Sequence, residues 1–328
     1  MAVAVVTGAG AGVGRATARE FARQGFDVGL IARDQQRLDA TAKELRDMGV
    51  RAHVVTADVS DASAIAAAAD SIEHELGPIE VWVNNAATSI FSPVEKIEPD
   101  EFKRATEVGY LGTVYGSIAA LKHMRLRDRG LIINVGSAMG YRAMPLQSAM
   151  SGAKFAVRGF TAALRSELFH DRSHIRVSMV HLPSINTPQF DWSLNRLGRK
   201  PQPVAPVYQP EVAARAIVFT AQHPRRDVWV GLSTLAAIML DRFAPGLADR
   251  LLALGGYPAQ ITKQRELGSA TANLYGPIGG VYAAHGRFDL NARDTNWEIF
   301  TSRHRDTVVV AGLIGLFFAL RHSVRSIR

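Results

Sequence analysis

Eight consecutive residues near the start of the chain, Thr7-Gly8-Ala9-Gly10-Ala11-Gly12-Val13-Gly14, have the composition to receive a pyrophosphate. They stand between an apolar run and the helical stretch Arg15–Gln24, so backbone N–H groups and the positive end of a helix dipole converge on one turn. Glycines let a ligand approach the main chain closely. The spacing fails as G-x-G-x-x-G, because Val13, Arg15 or Thr17 falls where the third glycine belongs, and it fits T-G-x-x-x-G-x-G. A glycine-rich turn without a ligand is the plainer alternative; the strand-to-helix setting favours dinucleotide binding over it.

The next apolar run ends Leu30-Ile31-Ala32-Arg33, with no carboxylate for an adenosine 2′-hydroxyl and an arginine in reach of a 2′-phosphate. NADP(H) is therefore favoured over NAD(H), unless Arg33 only faces solvent. Asp58-Val59, after the third run, suits either a contact to the adenine amino group or a cap on the helix starting near Ser60.

These residues need a scaffold, and the chain supplies alternating elements. Ala2–Thr7, Asp27–Ala32, Ala52–Ala57, Ile79–Asn84, Gly130–Gly136, Ile175–Leu182 and Asp227–Val230 read as strands, with helix-length stretches between them. Most are continuous apolar runs, as expected when both faces of a sheet are covered, so the pattern predicts an α/β fold with a doubly wound parallel sheet. With the first strand starting at once, no signal peptide is expected. After Leu182, Pro201-Gln202-Pro203-Val204-Ala205-Pro206 and Pro210 predict a loop over the body, with neither regular helix nor central strand. Residues 231–302 show little periodicity beyond a helix around Leu247–Leu254.

With these elements placed, the chain resembles the short-chain dehydrogenase/reductase family over about residues 2–230. The resemblance rests on the glycine segment, Asn84-Asn85-Ala86, Ser137, Lys154, Pro183 and Asn186-Thr187-Pro188. It implies a Rossmann-like sheet of about seven strands in a catalytic domain, 1–230; the residues beyond, atypically long for the family, read as an irregular or helical extension, 231–302, and a basic-flanked apolar C-terminal helix, 303–328. It also implies a coenzyme site built from Thr7, Gly8, Gly10, Gly12, Val13, Gly14, Arg33, Asp58, Val59, Asn85, Ala86, Lys154, Pro183 and Thr187.

In that family a serine hydrogen-bonds the substrate carbonyl, a tyrosine four residues before a lysine donates the proton, and the lysine holds the nicotinamide ribose. Ser137 and Lys154 match, although Ser137 also suits a turn cap. The tyrosine position is Met150, on the same helical face as Lys154. Gly109 replaces the asparagine of the family's proton relay, and Ala87 the glycine of Asn-Asn-Ala-Gly. A thioether donates no proton, so ketone reduction by the tyrosine route is expected to be impaired, while hydride delivery to an iminium or an activated alkene is not. Tyr141 and Tyr110 are the other tyrosines near enough in sequence to consider as acids. Each reads more readily as a packing or pocket-wall residue.

If the family fold holds, Ile90, Met139, Tyr141, Met144, Phe190 and Trp192 gather into an apolar substrate pocket, or else into core or subunit contacts. The expectation is an oxidoreductase acting on an apolar carbonyl, alcohol or imine. The alternative is a catalytically impaired NADP(H)-binding scaffold or redox sensor. The resemblance suggests a homodimer or homotetramer through the helices at 99–127 and 151–170.

The chain of 328 residues, with 47% hydrophobic and 21% charged residues, excludes a disordered or fibrous protein. Without cysteine it has no disulfide, thiolate metal site or cysteine nucleophile, and its ten histidines show no ligand spacing, so no metal is expected. The net charge of +8 suits anionic ligands or surfaces, yet no stripe of basic and aromatic residues points to nucleic acid. Val308–Leu320 is apolar between flanking arginines and, at about 20 Å as a helix, too short for a hydrocarbon core of about 30 Å. It suits a peripheral contact with an anionic membrane through 303–328, or a helix packed on the protein itself. The expected location is cytoplasmic, with or without membrane association.

Overall fold

Seven apolar runs pair into one sheet: β1 (Val3–Thr7), β2 (Asp27–Ala32), β3 (Ala52–Thr56), β4 (Ile79–Asn84), β5 (Leu131–Ser137), β6 (Arg176–Leu182) and β7 (Asp227–Trp229). The computed structural model describes residues 1–266, 272–280 and 282–295. All neighbouring strands are parallel, in the order β7-β6-β5-β4-β1-β2-β3. The order reverses between β1 and β4, and the crevice at their C-terminal ends is where open α/β sheets bind ligands.

Both faces are covered. On one, α1 (Gly12–Arg23), α2 (Gln35–Asp47) and α7 (Pro210–Gln222) bury Phe21, Leu38, Leu45, Val212 and Ile217 against Val6, Leu30 and Ile133. On the other, α3 (Ala62–Leu76), α5 (Gly112–Met124) and α6 (Ser148–His170) bury Ile65, Ile72, Met124, Leu164 and Leu168 against Val5, Ile31 and Ile132. Each large side chain so removed from water contributes about 1.5–3 kcal/mol, which is why strands covered on both faces read as unbroken apolar runs.

A polar network that apolar periodicity does not reveal pins α5 and α6 to the sheet. Asn84 accepts from the Trp82 indole at 2.8 Å and donates to Ser117 Oγ at 3.0 Å and Asn134 Oδ1 at 2.9 Å; Asn134 in turn donates to Thr161 Oγ1 at 2.8 Å. All of these side chains are buried. Gly116 leaves the room, since a Cβ there would lie 2.1 Å from Asn84 Oδ1.

Helix starts follow their capping residues. Asp34 accepts from Arg37 N at 2.9 Å to begin α2, and Asp61 accepts from Ser63 N and Ala64 N at 2.9 and 3.0 Å to begin α3. Asp58 is therefore not the cap of α3. By contrast, α1 has no side-chain cap at Ala11. Between α4 (Pro99–Thr106) and α5 the helix widens into a π turn over Glu107–Leu111. There a Cβ on Gly109 would meet Ala153 Cβ at 3.1 Å, a tight contact with α6.

The proline-rich stretch is partly as expected. It includes a cis Ala205–Pro206 bond, but Arg199–Pro201 pairs antiparallel with Ile261–Arg265, and Val207–Tyr208 sits in a small sheet between Ser184–Ile185 and Ala292–Arg293. Pro210 begins α7 instead of excluding helix, because at the first turn its missing N–H has no partner to lose. Beyond β7, α8 (Leu232–Phe243) precedes α9 (Pro245–Leu251), which continues as a π turn over Leu252–Gly256 where one helix was expected. The expected C-terminal helix and membrane contact of 303–328 lie outside the described residues. Among the described residues, no helix is long and apolar enough to cross a membrane.

Candidate active site

The turn between β1 and α1 forms its cradle through glycine. Gly8 and Gly12 have φ of +70° and +56°, a region that favours glycine. Any Cβ on Gly8 would lie 3.0 Å from Ala86 Cα, and one on Gly14 would lie 2.1 Å from the Gly8 carbonyl oxygen. Thr7 and Asn85 lock this turn to the end of β4. Thr7 Oγ1 accepts from the main-chain N–H of Asn85 and Ala86 at 3.0 and 3.1 Å, and Asn85 Nδ2 donates to the Thr7 carbonyl at 2.9 Å. The result is an uncapped helix start facing the crevice, a fitting receptor for a pyrophosphate.

A cavity of about 460 Å³ runs from this cradle past the ends of β2, β4, β5 and β6. Its wall includes Gly8, Gly10, Gly12, Val13, Arg33, Asp58, Val59, Asn85, Ala86, Pro183 and Thr187 of the expected coenzyme residues. Thr7 and Gly14 lie behind the wall, shaping it without lining it. Thr187 approaches Gly12 closely, since a Cβ there would be 3.3 Å from Thr187 Cβ. At the adenosine end, Asp58 accepts from Ser60 N at 3.0 Å and pairs with Arg104. Burial alone pushes its carboxyl up, and the bonds from Ser60 and Arg104 outweigh that and hold it below the usual range.

Ser137, Met150 and Lys154 line the opposite end of the same cavity. Ser137 Oγ accepts from Met139 N at 3.2 Å and donates to the Leu182 carbonyl at 3.3 Å, so it does cap the turn Ala138–Gly140. Both bonds are long, which leaves the hydroxyl able to turn to a stronger partner. Met150 sits in the first turn of α6 and is buried. Lys154 Nζ donates to the Val135 carbonyl at 2.8 Å, and burial lowers its pKa from 10.5 to about 8.

That lysine makes stability depend on pH in a stated direction. Below pH 8 the ammonium is charged in both folded and unfolded chains, so folding carries the cost of burying it. Between pH 8 and 10.5 the folded form loses the proton first, the unfolded chain binds more protons, and stability rises with pH. Lys154→Met should remove this contribution. The difference in unfolding free energy between variant and wild type, from urea titrations, should shrink by about 1.4 kcal/mol per pH unit across that window. A constant difference would refute the charged burial.

Of the expected substrate residues, Met139, Met144, Phe190 and Trp192 line the cavity, but Ile90 and Tyr141 do not. Ile90 is fully buried with Ala105, Ala149 and Leu274. Tyr141 turns away because its ring packs edge-on to His181 at 4.9 Å, with its hydroxyl 3.3 Å from His181 Nε2 and the Arg158 guanidinium 3.9 Å over its face. The wall also contains residues that the sequence reading missed: Arg37, Gln147, Pro203, Ser233, Asn273 and Ile278 among them. Arg37, in the first turn of α2 and four residues after Arg33, was legible in principle as a second basic group beyond the end of β2. The extension residues had no periodic signal to find.

With this geometry in view, comparison with known proteins is decisive for the family. The family model described as short chain dehydrogenase matches residues 2–195. The chain belongs to the short-chain dehydrogenase family. An uncharacterized oxidoreductase of Bacillus subtilis, YxnA, is 36% identical over 252 residues, covering 76% of this chain and 71% of the relative. Among solved structures, an alcohol dehydrogenase from Thermococcus sibiricus complexed with 5-hydroxy-NADP superposes with a TM-score of 0.61 at 26% identity, covering 70% of this chain and 95% of that one. A short-chain dehydrogenase/reductase from Burkholderia phymatum in complex with NAD shares the fold, with a TM-score of 0.68 at 22% identity over 75% of this chain and 94% of that one.

Proposed function

We propose that the protein is a nicotinamide-dependent oxidoreductase that takes NADP(H) in preference to NAD(H) and acts on an apolar carbonyl, alcohol or imine. One observation carries this reading: the glycine cradle, Lys154 and Ser137 share a single cavity whose far end is walled by Met139, Met144, Met150 and Phe190. A bound nicotinamide coenzyme supplies or accepts a hydride. The chain's own residues bind and orient. The main-chain N–H groups of the turn leading into α1 would receive the pyrophosphate, and Lys154 would hold the ribose hydroxyls. Arg33 and Arg37 favour a 2′-phosphate, since the neighbouring Asp34 is engaged in capping α2. Ser137 Oγ positions a substrate oxygen or nitrogen, while the methionines and Phe190 exclude water.

No proton donor stands at position 150, so the site favours acceptors that arrive already protonated, an iminium above all. This same feature favours a second reading, a coenzyme-binding scaffold or redox sensor with little turnover. Calorimetry with NADPH and NADH, followed by a panel of apolar ketones and cyclic imines, separates the two. The expected result is tighter binding of NADPH and imine reduction well above ketone reduction. Binding without turnover on any substrate would favour the sensor, and no binding of either coenzyme would overturn both readings.

A further inference from the structure

The C-terminal extension crosses the coenzyme crevice. Four arginines of the sheet domain hold its main-chain carbonyls: Arg33 donates to the Asn273 and Leu274 oxygens at 2.5 and 3.4 Å, Arg104 to Leu274 at 3.1 Å, Arg37 to Ile278, and Arg15 to Tyr282 at 3.2 Å. The Gly12 N–H, part of the phosphate cradle itself, donates to the Ala283 carbonyl at 3.0 Å. From the opposite wall, Trp192 packs edge-on against Tyr282 at 4.8 Å, and its main-chain oxygen accepts from Asn273 N at 2.9 Å. The Arg37 guanidinium lies over both rings, 5.0 Å from Trp192 and 5.1 Å from Tyr282. Thr88 adds a hydrogen bond to Asn273 Oδ1 at 3.2 Å. Asn273, Pro277 and Ile278 thereby form part of the cavity wall.

Resting on the function proposed above, we propose that residues 272–280 and 282–286 are a strap that forms the outer wall of the adenosine half of the coenzyme site, and that coenzyme enters and leaves only when this strap lifts. Across the crevice Thr187 approaches Gly12 and Arg37 lies over Trp192, and the strap adds a longer bridge above them, held by Arg37 and Trp192 together. The arginine part of the clasp is compatible with a bound nucleotide, whereas the Gly12 N–H must leave the Ala283 carbonyl before it can meet a phosphate. A guanidinium has five N–H donors, so Arg33 and Arg37 can keep a strap carbonyl and still receive a phosphate oxygen, which is the stronger acceptor. One end of the strap is anchored by Leu274, which is buried against Ile90 and Ala105. The other is anchored at Gly286, where a Cβ would lie 2.4 Å from the Thr187 carbonyl oxygen, and by Phe288 N donating to Asn186 Oδ1 at 3.0 Å. Between these anchors the holding contacts described are arginine-to-carbonyl bonds, the Gly12 N–H bond to the Ala283 carbonyl and ring contacts, each weak enough to open singly.

A gate and a simple contact differ in kinetics. If opening precedes both entry and exit, weakening the clasp raises the association rate as well as the dissociation rate; a residue that only touches bound coenzyme changes dissociation alone. The experiment is stopped-flow binding of NADPH to the full chain, followed by energy transfer from tryptophan to the reduced nicotinamide. Tyr282→Ala removes the ring that Arg37 and Trp192 share, and Thr88→Val removes one hydrogen bond with little change of shape. Tyr282→Ala should speed both association and dissociation by about tenfold, and Thr88→Val by about threefold. Rates within twofold of wild type in both variants, or a rise in dissociation alone, would overturn the gate while leaving the coenzyme site standing. No NADPH signal from the wild type would overturn the proposed function and the strap's role together.

Discussion

Replacing Met150 with tyrosine is expected to raise kcat/KM for NADPH-dependent reduction of an apolar ketone by about 10²–10⁴-fold. Met150 sits in the first turn of α6, one helical turn before Lys154, and both line the cavity with Ser137. On the proposed function, the positions that would orient a substrate carbonyl and hold a ribose share this cavity, and the component to be added is a proton delivered to the oxygen as hydride arrives. A phenol at position 150 would stand beside a lysine whose ammonium favours the phenolate, lowering the tyrosine's pKa toward the working range. The gain should be specific to substrates that need the proton. Reduction of a preformed iminium should change by less than about tenfold, because its nitrogen already carries the charge that protonation would supply. Steady-state assays of both substrate classes on both forms check this, and equal changes for ketone and iminium would show that position 150 acts through packing.

The contrast between what the sequence disclosed and what it did not has a physical basis. Strands β1 to β7 were legible because a sheet covered on both faces needs continuous apolar runs, and Leu30, Val83 and Ile133 satisfy that need locally. That Ser137, Met150 and Lys154 would share one cavity was expected from the family resemblance, and the end of β5 and one face of α6 do bring them to the same wall. Tyr141 and Ile90 were misplaced because spacing gives no account of competition between partners. His181 and Arg158 draw the tyrosine ring away, and Leu274, from far along the chain, completes a pocket around Ile90. The strap was illegible for a related reason. Its carbonyls belong to the main chain, which every residue has, so nothing in the side chains at 273–283 announces that Arg33, Arg37 and Arg104 will seek them.

Gly14 should be the least tolerant residue of the coenzyme site although it does not line the cavity. In Gly14→Ala the new Cβ would fall 2.1 Å from the Gly8 carbonyl oxygen and 2.7 Å from Asn85 Nδ2. The first is backbone in a turn whose φ is already confined to the left-handed region, and the second is tied to the Thr7 carbonyl, so neither can yield cheaply. The start of α1 must move off β1, carrying the phosphate-binding N–H groups with it. NADPH affinity by calorimetry should fall by at least about 100-fold, as oriented donors lose their geometry, and stability should drop by about 1–3 kcal/mol, as in other overpacked interiors. Gly10→Ala is the control on the same turn: its Cβ would meet Arg37 Cβ at 3.1 Å and Ala32 Cβ at 3.9 Å with no backbone atom nearer than 4.0 Å, so a shift of a few tenths of an ångström relieves it. Its loss of affinity should stay within about tenfold. If both variants bind NADPH as the wild type does, the pyrophosphate does not rest on this turn, and the coenzyme site must lie elsewhere in the crevice.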